Sequence, residues 1–137
     1  MPTEKSVAHH WRRFKERYGL VGSKCENCGS YFYPSSVICP NCRRKGKVKE
    51  HIFTGKGKVY SFTTVRVAPE EFEHYAPYVV AIVELEEGAR VVSQIVDCKP
   101  EDVKIGMPVE MCFRKIREEG GTSGLVLYGF KFRPLNF

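Results

Sequence analysis

Long apolar runs are missing from this chain. No stretch approaches the roughly 20 consecutive apolar residues that a membrane-spanning helix needs. The segment from Met1 to Arg17 is too charged to hold the apolar centre of a signal peptide, so a cytoplasmic protein with no membrane partner is expected. A phosphate-cradling glycine loop, a pair of catalytic carboxylates and a Ser-His-Asp arrangement are also missing, which argues against an enzyme. Histidine is scarce. His9, His10, His51 and His74 have no second ligand at metal spacing and read as surface or capping residues. Acids are scarce in the first half: Met1 to Lys58 carry 13 Lys and Arg against 4 Asp and Glu, whereas Val59 to Phe137 carry 9 against 12. The net charge of +6 therefore belongs to the N-terminal half, and its expected partner is anionic.

Cysteine is present in pattern. Four of the six lie in two Cys-x-x-Cys pairs, Cys25 with Cys28 and Cys39 with Cys42, separated by 10 residues. Two residues between ligands let a tight turn aim both sulfurs at one ion. Four thiolates make a soft tetrahedral site that favours Zn²⁺ and leaves no open position, so the metal is expected to be structural. Rubredoxin-like iron is the competing occupant, but Arg43 stands where a rubredoxin knuckle has glycine. Cys98 and Cys112 read as buried small hydrophobes.

The order of segments predicts a mainly β protein with an N-terminal helix, a zinc ribbon and then a five-stranded barrel of the oligomer-binding (OB) type. Val7, Trp11, Phe14 and Tyr18 recur at helical spacing between a Ser6 cap and a Gly19 stop, giving a helical segment over 1–19. The ribbon is expected over 20–50, with short strands at Leu20–Lys24 and Tyr31–Tyr33, followed by a linker rich in Lys and Gly. The barrel is expected over 51–137. Its five antiparallel strands would lie near Lys58–Val67, Tyr78–Leu85, Arg90–Val96, Pro108–Ile116 and Leu125–Phe132, with a Gly-rich loop at 118–124. Pro69 to Pro77 reads as a long loop bearing an acidic contact surface.

The chain resembles a family of acyl-CoA-associated proteins with a helix, a rubredoxin-like zinc ribbon and a C-terminal OB-fold, long catalogued as a domain of unknown function. The resemblance rests on Trp11-Arg12-Arg13-Phe14, Leu20 to Gly29, Tyr31-Phe32-Tyr33-Pro34, Cys39-Pro40-Asn41-Cys42 and Gly57 to Thr63. It implies a non-catalytic scaffold subunit for thiolase-type enzymes, bridging an acetoacetyl-CoA thiolase and a hydroxymethylglutaryl-CoA synthase in the mevalonate pathway. CoA or acyl-CoA is the implied ligand. Its phosphates suit the basic half and its adenine suits an aromatic or Arg plane. Arg12, Arg13, Lys24, Tyr31, Tyr33, Lys56 and Lys58 are the candidate contacts. The alternative reading is a module for single-stranded nucleic acid, to which zinc ribbons and OB-folds also lend themselves. The net acidity of the barrel half counts against it.

Overall fold

A computed structural model describes residues 7–118 and 126–135. The expected Ser6 cap, most of the Gly-rich loop and Leu125 lie outside the described residues. No helix among those described is long and apolar enough to cross a membrane.

The N-terminal segment forms two short helices, α1 (Val7–Arg12) and α2 (Phe14–Gly19), where one helix was expected. Arg13 breaks them apart, with φ −106° and ψ 6°. The turn out of α2 is made by Leu20, not by Gly19: Leu20 takes the left-handed conformation at φ 51°, ψ 55°. An L-residue accepts this strain when packing repays it. Leu20 is fully buried among the barrel side chains.

The ribbon is a three-stranded sheet in the order β2-β1-β3, from β1 (Val21–Cys25), β2 (Tyr31–Phe32) and β3 (Val48–Ile52). β3 forms where the sequence reads as a linker, pairing Val21 with Ile52 through to Cys25 with Val48. Its charged residues and exposed Ile52 hide it from an alternation test, because this edge strand faces solvent over most of its surface.

The barrel strands are β4 (Lys56–Val65), β5 (Tyr78–Leu85), β6 (Arg90–Ile95), β7 (Pro108–Glu118) and β8 (Val126–Pro134). They close in the order β4-β5-β6-β8-β7. Four junctions are antiparallel, but β6 and β8 run parallel, so the barrel is mixed rather than wholly antiparallel as expected. Alternation places the core: Val79, Ala81, Val83 and Leu85 point inward from β5, and Val91, Ser93 and Ile95 from β6. Phe132 and Val109 complete it from β8 and β7.

Leu20 and Phe53 join this same apolar cluster from the ribbon side. Phe53 N–H donates to Leu20 O at 3.2 Å, closing the ribbon sheet above the barrel. A second latch involves His51, expected on the surface. Its ring lies edge-on to Tyr31 (4.8 Å between centroids) and to Phe53 (5.0 Å), with Nε2 3.9 Å from Glu87 Oε1 on the β5–β6 turn. Ribbon and barrel thus share one core, which fixes the metal head relative to the barrel wall.

Candidate metal centre and the faces around it

Each cysteine pair sits on a tight knuckle. Gly29 N–H donates to Cys25 O at 2.8 Å, and Arg43 N–H donates to Cys39 O at 2.8 Å. These turns bring the sulfurs of Cys25, Cys28, Cys39 and Cys42 within 4.8 Å of one another, with Cys28 and Cys39 at 3.6 Å. Sulfurs about 2.3 Å from a tetrahedral Zn²⁺ stand about 3.8 Å apart, so the cluster fits the ion. Cys25 and Cys39 are buried, whereas Cys28 is exposed. The Ser30 hydroxyl and then its backbone hold the Cys28 thiol down to about 6, which readies it as a thiolate ligand. Asn27 Nδ2 donates to Cys42 Sγ at 3.3 Å, tying one knuckle to the other. Bound there, Zn²⁺ would take all four sulfurs as ligands, supply folding energy and leave no open position for a substrate.

The expected CoA contacts lie on the helices, the ribbon and the barrel. Arg12 and Arg13 are exposed at the junction of α1 and α2. Lys24 lies on the ribbon with its Nζ 5.2 Å from the centroid of Tyr31. Tyr33 is turned toward α2, where its hydroxyl donates to Glu16 O at 3.2 Å. Lys56 and Lys58 stand on β4 beside a cavity of about 350 Å³ that Glu84 and Glu86 also line, with Lys58 3.9 Å from Glu84. Cys98 and Cys112 are poor nucleophiles, since burial pushes both thiols up.

The aromatic stripe of the N-terminal segment continues onto the barrel. Trp11 stacks on Phe14 at 5.1 Å, Phe14 meets Tyr18 at 6.0 Å, Tyr18 meets Phe113 at 5.2 Å, and Phe113 stacks on Tyr128 at 5.6 Å. Trp11 is 70% exposed and Phe113 51%. Gly129 allows α2 to come this close, since a Cβ there would stand 3.3 Å from Arg17 O. Phe113 and Tyr128 were not singled out from the sequence. Alternation hid them: Phe113 shares a strand face with Val109 and Met111, and Tyr128 with Phe130 and Phe132, so both read as core positions.

Beside the ladder lies a cavity of about 450 Å³, between α1–α2, β6 and β8. Phe72 of the Pro69–Pro77 loop reaches it from a short 3-10 helix, Glu70–Tyr75. His10, expected on the surface, is half-buried there and faces Arg17 Nη1 at 2.8 Å through Nδ1.

Two family models match the chain. ChsH2, rubredoxin-like zinc ribbon domain, covers residues 13–48, and ChsH2, C-terminal OB-fold domain, covers 52–114. A DUF35 domain-containing scaffold protein of Methanocaldococcus jannaschii is 57% identical over 96% of this chain and 93% of its own. The benzoylsuccinyl-CoA thiolase subunit BbsA of Geobacter metallireducens is 27% identical over 82% of this chain and 73% of its own. The solved Ltp2-ChsH2(DUF35) aldolase superposes with a TM-score of 0.68 at 31% identity, covering 98% of both chains.

Proposed function

This chain belongs to the DUF35 scaffold-protein family with a ChsH2-type zinc ribbon and OB-fold, and we propose that it acts as a non-catalytic subunit holding thiolase-type enzymes of acyl-CoA metabolism together. The five-ring ladder from Trp11 to Tyr128 carries the reading. Exposed aromatic rings in one continuous patch, with Arg12, Arg13 and Lys15 exposed beside it, suit burial against another protein. The rings pass from the two N-terminal helices onto the barrel wall at the Tyr18–Phe113 contact, so a partner that covers them would touch both units. The likeness to a relative named a scaffold protein supports a subunit that positions rather than transforms.

The partners we assign are an acetoacetyl-CoA thiolase and a hydroxymethylglutaryl-CoA synthase of the mevalonate pathway. The basic N-terminal half would then face the anionic CoA that both enzymes handle. Co-expression of the three chains, followed by affinity purification of this one, tests the assignment. A stable complex is expected. Trp11→Ala and Phe113→Ala should each weaken it by about 30-fold or more, with the melting temperature of the free chain little changed. If no enzyme is retained and neither CoA nor acyl-CoA binds, the scaffold reading fails. Tight, steeply salt-dependent binding to single-stranded oligonucleotides through the same rings would put the nucleic-acid module in its place.

A further inference from the structure

The closed barrel is split along one seam. β6 and β8 meet at a single residue pair, Ile95 opposite Phe132. Val96 N–H donates to Phe132 O at 2.8 Å just beyond it. On the other side of that pair the strands diverge, and only the Ser93 hydroxyl reaches across among the described residues, 3.5 Å from Phe130 O. The cavity of about 450 Å³ occupies this opening, with Val92 to Gln94 on one wall and Leu127 to Lys131 on the other.

Lys131 is the unusual wall residue. It is only 3% exposed. Its Nζ lies 4.9 Å from the centroid of Tyr75, and no carboxylate among the described residues pairs with it. Burial lowers the pKa of its ammonium. A cation taken out of water without a counter-charge is costly, and a π face offsets only part of that cost. Arg17 and Arg117 line the same cavity, and no Asp or Glu does. His10, Ser93 and Gln94 are the other polar residues of the wall, and most of the rest is apolar or aromatic, with Ile116, Leu127, Phe130 and Phe72 among it.

We propose that the split between β6 and β8 is a binding site for a small organic anion, a carboxylate or phosphate carried on an apolar body. The acid group would sit against Lys131 and supply the counter-charge that no described carboxylate provides. The apolar body would lie along Phe130 and Leu127. The volume equals that of about 15 waters, which suits a small acid and is too tight for an entire CoA. This inference goes beyond the scaffold role and stands without it.

Calorimetric titration of the zinc-loaded full chain tests it with four probes: 4-phenylbutyrate, phenyl phosphate, 4-phenylbutanol and inorganic phosphate. At least one of the two aromatic anions should bind tenfold or more tighter than both the alcohol and inorganic phosphate. The stronger of the two names the preferred head group. Lys131→Met should remove that preference while leaving the weak binding of the alcohol unchanged. A second readout keeps the wild type decisive even if the variant does not fold: the Lys131 ¹³Cε resonance should report a higher pKa with the bound anion than with the alcohol. Equal binding of anion and alcohol, or a Lys131 titration indifferent to the anion, overturns the proposal.

Discussion

Arg43 holds in the second knuckle the left-handed backbone that Gly29 holds in the first, with φ 52° against 72°. Each residue follows the second cysteine of its pair and donates its N–H to the carbonyl of the first. The knuckle demands this conformation whatever residue occupies it, and a side chain there is strained by about 1 kcal/mol. Arg43→Gly should therefore stabilise the zinc-loaded protein by up to about 1 kcal/mol. Gly29→Ala should destabilise it by a similar amount, although no atom stands within 4 Å of the added methyl. Chemical denaturation of both variants checks the pair.

Metal removal should unfold the ribbon first. Metal analysis is expected to return one Zn²⁺ per chain. A strong chelator should abolish amide-exchange protection in β1, β2 and β3, because that sheet has few apolar contacts of its own. The barrel should persist but melt at lower temperature, since Leu20 and Phe53 leave its core. Unchanged protection in β1 after the zinc is gone would contradict a metal-dependent head.

Phe53 is the hinge pin between the two units. Phe53→Ala should cost about 3–5 kcal/mol and lower the stability of ribbon and barrel together. Gly22→Ala tests the same contact from the other side, because a Cβ there would stand 2.5 Å from Phe53 Cε2 and 2.6 Å from Phe32 O. Exchange measurements should show losses in both units for each variant. A loss confined to the ribbon would mean that the two cores are separate.

The thiols of Cys98 and Cys112 should resist alkylation near neutral pH. Burial raises both pKa values above the ordinary thiol range, so the neutral form is favoured in the folded state. The unfolded chain releases these protons first as pH rises. The stability they contribute is therefore complete below about pH 8.5 and falls as pH climbs toward the folded values. Iodoacetamide labelling of the zinc-loaded protein, followed by peptide mass analysis, should show slow modification at pH 7.5 that accelerates above pH 9. Rapid labelling of Cys98 at neutral pH would count against this.

Several misreadings of the sequence share one cause. His51 and Val48–Ile52 read as linker because their neighbours are charged, yet β3 is held by pairing with β1 and by rings that arrive from Tyr31 and Phe53. The helical stripe was legible, but its break at Arg13 was not. Lys131 was not singled out from the sequence, since nothing local says that Tyr75 covers it.

What the sequence determined by itself is whatever depends on near neighbours. The metal head follows from two short cysteine spacings, and the β character of the second half follows from alternation along each strand. The tertiary structure alone decided the parallel β6–β8 seam, the cavity that opens from it, the ladder that carries the helix aromatics onto β7 and β8, and the shared core around Leu20 and Phe53. Each of these joins residues far apart in the chain, and a strand records which of its faces is apolar but not which other strand it will meet.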